Sequence, residues 1–264
     1  DSYEMAATGE IPVLGYDEND NQIINLKSGY DPVHPFEGRD PRFYVSILYH
    51  VAQWQGRAVD VSPTGLDNIN IGGVPRVNYF TRKYLWEQHN LTTGSGNSYR
   101  RFAIIRLAEL YLNYAEALNE VQGTYEIPSW NGEKMHTITR TTEELKKGVQ
   151  PIRIRAGLPD YDVYDSPDKF RIKIKRERQI ELFAEGHRFF DIRRWCDAPV
   201  EESVPMYGCN TYISKEDPAG FHTPVETTSM PTMFSTKMWF WPIHHYIMKR
   251  NLLMTQNPGW RDPE

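Results

Sequence analysis

Cysteine is nearly absent. The 264-residue chain carries two, Cys196 and Cys209, too few for a cysteine-built zinc site, and sequence leaves open whether they pair. Long apolar runs are also missing. Mean hydropathy is −0.62, and no stretch approaches the roughly 18 apolar residues of a spanning helix, which argues against a membrane-spanning protein. There is no basic excess: 30 Lys and Arg face 35 Asp and Glu, a net charge of −5. A dedicated nucleic-acid binder needs a basic footprint, so the charge argues against that class, and no nucleic acid is expected as a partner. No Gly-x-Ser-x-Gly, Walker or dinucleotide fingerprint occurs, and His34, His244 and His245 lack metal-ligand spacing. Asp17–Glu18–Asn19–Asp20–Asn21 opens like a calcium loop. Gln22 and Ser28 then stand where that loop needs Gly and Glu, so a polar turn is expected. No metal or cofactor is expected.

What is present is a foldable composition, 39% hydrophobic and 25% charged, with an aromatic excess of 7 Trp, 16 Tyr and 11 Phe. Such a length buries a substantial core. Tyr and Trp also suit half-wet surfaces, where one end is apolar and the other hydrogen-bonds. The chain opens on Asp1 without Met or a signal segment, as a mature, processed or partial chain would.

Three stretches differ in character. Residues 1–100 are rich in Gly, Pro, Asn and Asp and read as a loop-rich face with short strands, with a strand expected over residues 43–49. Residues 101–197 read as a helical scaffold. A helix is predicted over residues 101–121 after a turn at residues 94–98, with Ile104, Leu107, Tyr111, Tyr114, Ala115 and Leu118 on its inner face. Residues 124–140 read as an insertion or hairpin. Two short helices are predicted over residues 142–148 and 152–156, with Thr142 as a cap or Thr141 and Glu144 as a capping box. A long helix follows from Ser166 and Pro167 to about Glu185, breaks at Gly186 and resumes over residues 189–195. Residues 198–264 read as an irregular C-terminal segment. In it, Trp239, Phe240 and Trp241 are expected to be buried, a short helix covers residues 243–249, and the end is a turn.

Two constellations carry chemistry. Glu177, Glu181 and Glu185 recur every four residues, on one helix stripe, with Arg178, Arg188 and Asp191 nearby. Paired carboxylates suit a glycoside hydrolase, but arginine neighbours lower a carboxylate's pKa and make it a poor general acid. A structural network that fixes helix register is therefore expected. His187 is read as a packing or capping residue. The second constellation is Tyr49, Trp54, Gln55 and Arg57, aromatic faces beside planar amide and guanidinium donors. Such a set suits a sugar, whose apolar face stacks on a ring while its hydroxyls find partners. The competing reading makes Trp54 a half-buried loop anchor.

The segment Arg106–Leu107–Ala108–Glu109–Leu110–Tyr111–Leu112–Asn113–Tyr114–Ala115–Glu116–Ala117–Leu118–Asn119–Glu120 resembles a hallmark of the SusD/RagB family. So does the stretch from Glu177 through Gly186–His187–Arg188–Phe189–Phe190–Asp191 to Trp195. Asp40–Pro41–Arg42–Phe43, Arg155–Ala156–Gly157–Leu158–Pro159 and Gln256–Asn257–Pro258–Gly259–Trp260 match in the same order. One motif alone would be weak; five in order are specific. The resemblance implies a mainly α fold, with tetratricopeptide-like helix pairs supporting a loop-rich binding face. It also implies a surface-exposed outer-membrane lipoprotein of the Bacteroidetes type that binds glycans, without catalysis, as the lid of a SusC-like TonB-dependent transporter. Family members are usually about twice this length, so the chain reads as the C-terminal half. The N-terminal half, with the lipidated cysteine, then becomes an expected partner. The candidate glycan contacts are Trp54, Tyr49, Tyr16, Gln55 and Arg57. The alternatives are a transporter-docking protein with little glycan binding of its own and, less favoured, a glycoside hydrolase.

Overall fold

The computed structural model describes residues 1–68, 78–88, 103–227, 232–251 and 253–261. The architecture is mainly helical, with short antiparallel strand pairs between the helices. In chain order, β1 (Val13–Tyr16) and β2 (Gln22–Ile24) form a first hairpin. The polar turn between them closes on Asp17, whose carboxylate accepts from the N–H groups of Asn19 and Asn21.

Next comes α1 (Pro41–Ser46), where a strand was expected. Asp40 is the cause: its carboxylate caps the Arg42 N–H at 2.8 Å, and Pro41 presets the first helical turn. The extended conformation survives only in β3 (Ile47–Leu48). A two-residue hairpin, β4 (Gln53–Trp54) and β5 (Arg57–Ala58), follows, and then β6 (Phe80–Thr81), which pairs with β3. These pieces share a small core of Leu48, Ala52, Val59 and Val61 with Cys209 and Phe221, flanked by Tyr49, Trp54 and Phe80.

The main core lies among α2 (Leu107–Asn119), α3 (Thr142–Ala156) and α4 (Pro167–Glu181). Leu112, Ala115 and Leu118 meet Leu145, Val149 and Ile152, with Phe170, Ile174, Tyr161 and Tyr164 closing the other side. α2 packs on both of the other helices. Its buried residues are Ala108, Leu112, Ala115, Leu118 and Asn119, so Ala115 and Leu118 face inward as expected and Tyr111 is partly buried, while Ile104, Leu107 and Tyr114 face outward. At Ala115 α3 approaches closely. A methyl group on Gly148 would stand 2.5 Å from the Tyr111 carbonyl oxygen and 2.7 Å from Ala115 Cβ. The helix starts at Leu107, later than expected; Arg101 and the turn at residues 94–98 lie outside the described residues.

Between α2 and α3 projects a solvent-exposed hairpin, β7 (Thr124–Pro128) with β8 (Met135–Thr139), tipped by Trp130. α3 is one helix, not two. Thr141 caps it by accepting from the Glu144 N–H at 3.2 Å, and it runs through Pro151. Proline removes one helical hydrogen bond, but the packed faces on both sides hold the helix together. α4 opens with Ser166 as N-cap and Pro167 at its start, and ends at Glu181 rather than Glu185. Ala184 and Gly186, at φ 61° and 84°, turn the chain before α5 (His187–Arg194). That turn swings Glu185 off the helix line and onto Lys83 and Arg106.

The C-terminal segment holds α6 (Ala198–Glu201), β9 (Tyr207–Gly208), α7 (Pro218–His222), β10 (Val225–Glu226) and α8 (His245–Arg250). Phe240 and Trp241 are exposed at 61% and 69%, against the expected burial. Trp241 meets Phe189 edge-on at 5.5 Å, and the Phe240 and Trp241 carbonyls accept from the Trp260 ring N–H and the Asn257 amide.

Candidate ligand-binding site

The loop-rich side and the C-terminal segment enclose a cavity of about 240 Å³. Tyr16 and Gln22 reach it from the first hairpin, Tyr30, Phe36 and Arg39 from the loop before α1, and Tyr79 from the approach to β6. Tyr207 and Cys209 come from β9 and just beyond, and His222 from the end of α7. Tyr16 stacks on Tyr207 at 4.0 Å with 14° between the planes. The two hydroxyls fix that pair, Tyr16 donating to Asp1 Oδ2 and Tyr207 to Asp20 Oδ1, each at 2.7 Å. Phe36 stands at the centre of an aromatic wall, 6.3 Å from Tyr79 and 5.3 Å from His222, both edge-on.

Burial sets the protonation of this cavity. It raises Tyr16, Tyr30 and Tyr79, so the phenols stay neutral donors. It lowers His222 to about 4, helped by His50 and His34, so the imidazole is uncharged at neutral pH. Rings, phenols, an amide and a neutral imidazole around one guanidinium can hold a hydroxylated ring.

The expected contacts divide. Tyr16 lines the cavity. Tyr49 lies behind its wall, 4.4 Å from Phe36 and 5.0 Å from Phe43. Trp54, Gln55 and Arg57 sit on the β4–β5 hairpin, which does not line it. Gln55 and Gly56 make the turn at φ 50° and 78°, the positive-φ pair that two-residue hairpins prefer. Trp54 is half-buried against the small core, with the Arg82 guanidinium 5.5 Å from its ring centre. The Gln55 N–H donates to Glu87, and Arg57 grips Asp67 with both terminal nitrogens at 2.5 and 2.7 Å. Sequence reasoning missed Tyr30, Phe36, Arg39, Tyr79, Tyr207 and His222. Their only signal was the aromatic content of otherwise turn-forming segments.

The glutamate stripe is fully engaged. Glu177 accepts from Arg42 at 2.6 Å, Arg153 at 3.1 Å and the Tyr161 hydroxyl at 2.9 Å. Glu181 holds Arg42, Arg106 and Arg155; Glu185 holds Lys83 and Arg106. Burial alone would raise all three carboxyls. The surrounding cations outweigh it and hold them below the usual range. Arg178 pairs with Asp191 at 2.9 Å, while Arg188 turns away to Glu201. His187 opens α5 with its Nε2 3.6 Å from Glu109. Among the described residues no group of three His, Cys, Asp or Glu could hold a metal ion.

Two solved structures from Bacteroides fragilis share this fold. A SusD-like protein is 27% identical, with a TM-score of 0.70 over 98% of this chain and 45% of its own. A SusD-like carbohydrate binding protein is 25% identical, with a TM-score of 0.61 over 92% of this chain and 44% of its own. The chain thus spans less than half the length of these relatives. No curated protein matches it. Four of the five segments that first suggested the family, residues 40–43, 106–120, 155–159 and 177–195, contribute to the buried ion network, while residues 256–260 hydrogen-bond to residues 237–243. With the SusD family model matching residues 1–260, the chain belongs to the SusD family.

Proposed function

We propose that this chain binds glycan without turning it over. It does so at the outer-membrane surface of its bacterium, in a longer lipid-anchored protein that delivers the ligand to a SusC-like TonB-dependent transporter. The observation that carries the reading is the aromatic cavity around Phe36, with Tyr16, Tyr30, Tyr79 and Tyr207 supplying apolar rings and neutral hydroxyls. A pyranose needs that combination, ring faces for its C–H groups and donors for its hydroxyls. Family membership and the printed description of one relative as carbohydrate binding support it. Non-catalysis is supported by the glutamates: each is neutralised by two or three cations, and none keeps the raised pKa a glycosidase acid requires. Within this reading Tyr16 contacts sugar in the cavity, Trp54, Gln55 and Arg57 form an outer contact on the neighbouring hairpin, and Tyr49 backs the wall at Phe36.

A glycan array on the intact protein, with Tyr16→Ala and Trp54→Ala beside it, tests this. Binding to one glycan class is expected, weakened by about 1–3 kcal/mol in each variant. A folded protein that binds no glycan on the array would sink the reading. A second reading, a transporter-docking chain with little glycan affinity, draws on the exposed aromatics Phe190, Phe240 and Trp241. Co-purification with the transporter in the absence of any glycan binding would favour it.

A further inference from the structure

We propose that the cavity is built for a saccharide bearing a negative charge, whose carboxylate or sulfate seats on Arg39. This rests on the glycan-binding reading above and names the class of glycan.

Arg39 is only 6% exposed. Two of its nitrogens are used on backbone carbonyls: Nη1 donates to Pro35 at 2.8 Å and Nη2 to Tyr3 at 3.1 Å. Its Nε is buried with no partner. Among the described residues no carboxylate lies within ion-pair distance of its guanidinium. The other two described arginines buried this deeply are treated differently. Arg153 pairs with Glu4 and Glu177, and Arg178 with Asp191 and Glu116. A buried charge is costly unless paired. This fold meets that demand twice with carboxylates, and at Arg39 with neutral groups, the two carbonyls and the rings of Phe43 and Tyr30, 5.3 and 5.6 Å away. Burial accordingly presses the Arg39 pKa downward.

The unpaired cation lines the cavity, and so does His222, whose Nδ1 is also buried without a partner. A neutral sugar hydroxyl would leave the Arg39 charge uncompensated. An anionic oxygen compensates it, and charge-assisted hydrogen bonds have about twice the ordinary strength. Asp1, which lines the same cavity, has its carboxylate engaged by the Tyr16 hydroxyl. An anionic group therefore belongs at the Arg39 end.

The test uses the intact protein. An array presents uronate and sulfated oligosaccharides, each beside its carboxyl-reduced or desulfated counterpart. The hits are expected among the charged members, with affinity falling about tenfold or more on the matched neutral sugar. Which pair shows the fall tells carboxylate from sulfate. Arg39→Gln should abolish the difference. Because Arg39 also ties down two carbonyls, the matched sugars read charge dependence on the unaltered protein even if that variant does not fold. Equal affinity for charged and neutral members, or hits on neutral glycans alone, would overturn the charge inference and leave glycan binding standing. No binding to any member would overturn both.

Discussion

Glu177 receives three donors in a site that is almost completely closed to water, two of them guanidinium groups. Glu177→Ala would leave Arg42 and Arg153 buried and short of charge, and is expected to cost about 3–5 kcal/mol in urea denaturation. A loss under 1 kcal/mol would show that water or rearrangement compensates. At this scale the sequence was readable where chemistry repeats locally. The four-residue spacing of Glu177, Glu181 and Glu185 among arginines announced a structural network. Their partners Arg42, Lys83 and Arg106 were not foreseeable, because they arrive from distant segments. Arg39 was hidden for the opposite reason: what marks it is a missing partner, and a sequence does not display absences in space. Arg57 illustrates a third limit. Its donors are already held by Asp67, so Arg57→Ala is expected to change glycan affinity less than Trp54→Ala in the same titration.

Helix boundaries and faces followed local rules only in part. Ser166 and Pro167 start α4 as their chemistry dictates, and the hairpin between α2 and α3 falls where Gly and Asn cluster. The inner face of α2 matched its expected stripe at Ala115 and Leu118 but not at Ile104, Leu107 and Tyr114, and at Ala115 the spacing to α3 is set by Gly148. Gly148→Ala is therefore expected to force α2 and α3 apart and to cost about 1–3 kcal/mol, read as a lowered denaturation midpoint. An unchanged midpoint would mean that the helices can slide without penalty. The β7–β8 hairpin contrasts with this tight seam. It stands in solvent with Trp130 at 97% exposure, so limited proteolysis is expected to cut first at its tip, near residues 129–132, and to leave the helices intact.

Across the whole molecule the ion network is what joins the parts. It reaches from Glu4 through α1 and the residues after β6 to α2, α3, α4 and the turn beyond. The carboxyls of Glu177, Glu181 and Glu185 are lowered in the folded state. Their contribution is therefore complete above the unfolded carboxylate value, about 4.3, and is lost as pH falls through the lower folded values. Glu4, raised by burial, opposes this in part. Thermal midpoints by circular dichroism should be flat near neutrality and fall steeply below about pH 4, with tryptophan fluorescence reporting the same transition. A midpoint unchanged at pH 3 would deny the network that role. The network also has a direction in time. Arg42, Lys83, Arg106, Arg153 and Arg155 all precede the three glutamates that neutralise them. On the ribosome, Lys83, Arg106 and Arg155 are made before any carboxylate that pairs with them, whereas Arg42 and Arg153 already have Asp40 and Glu4. Those three cations meet their partners only once residues 181–185 have left the exit tunnel, so a short stretch of acid closes the network last.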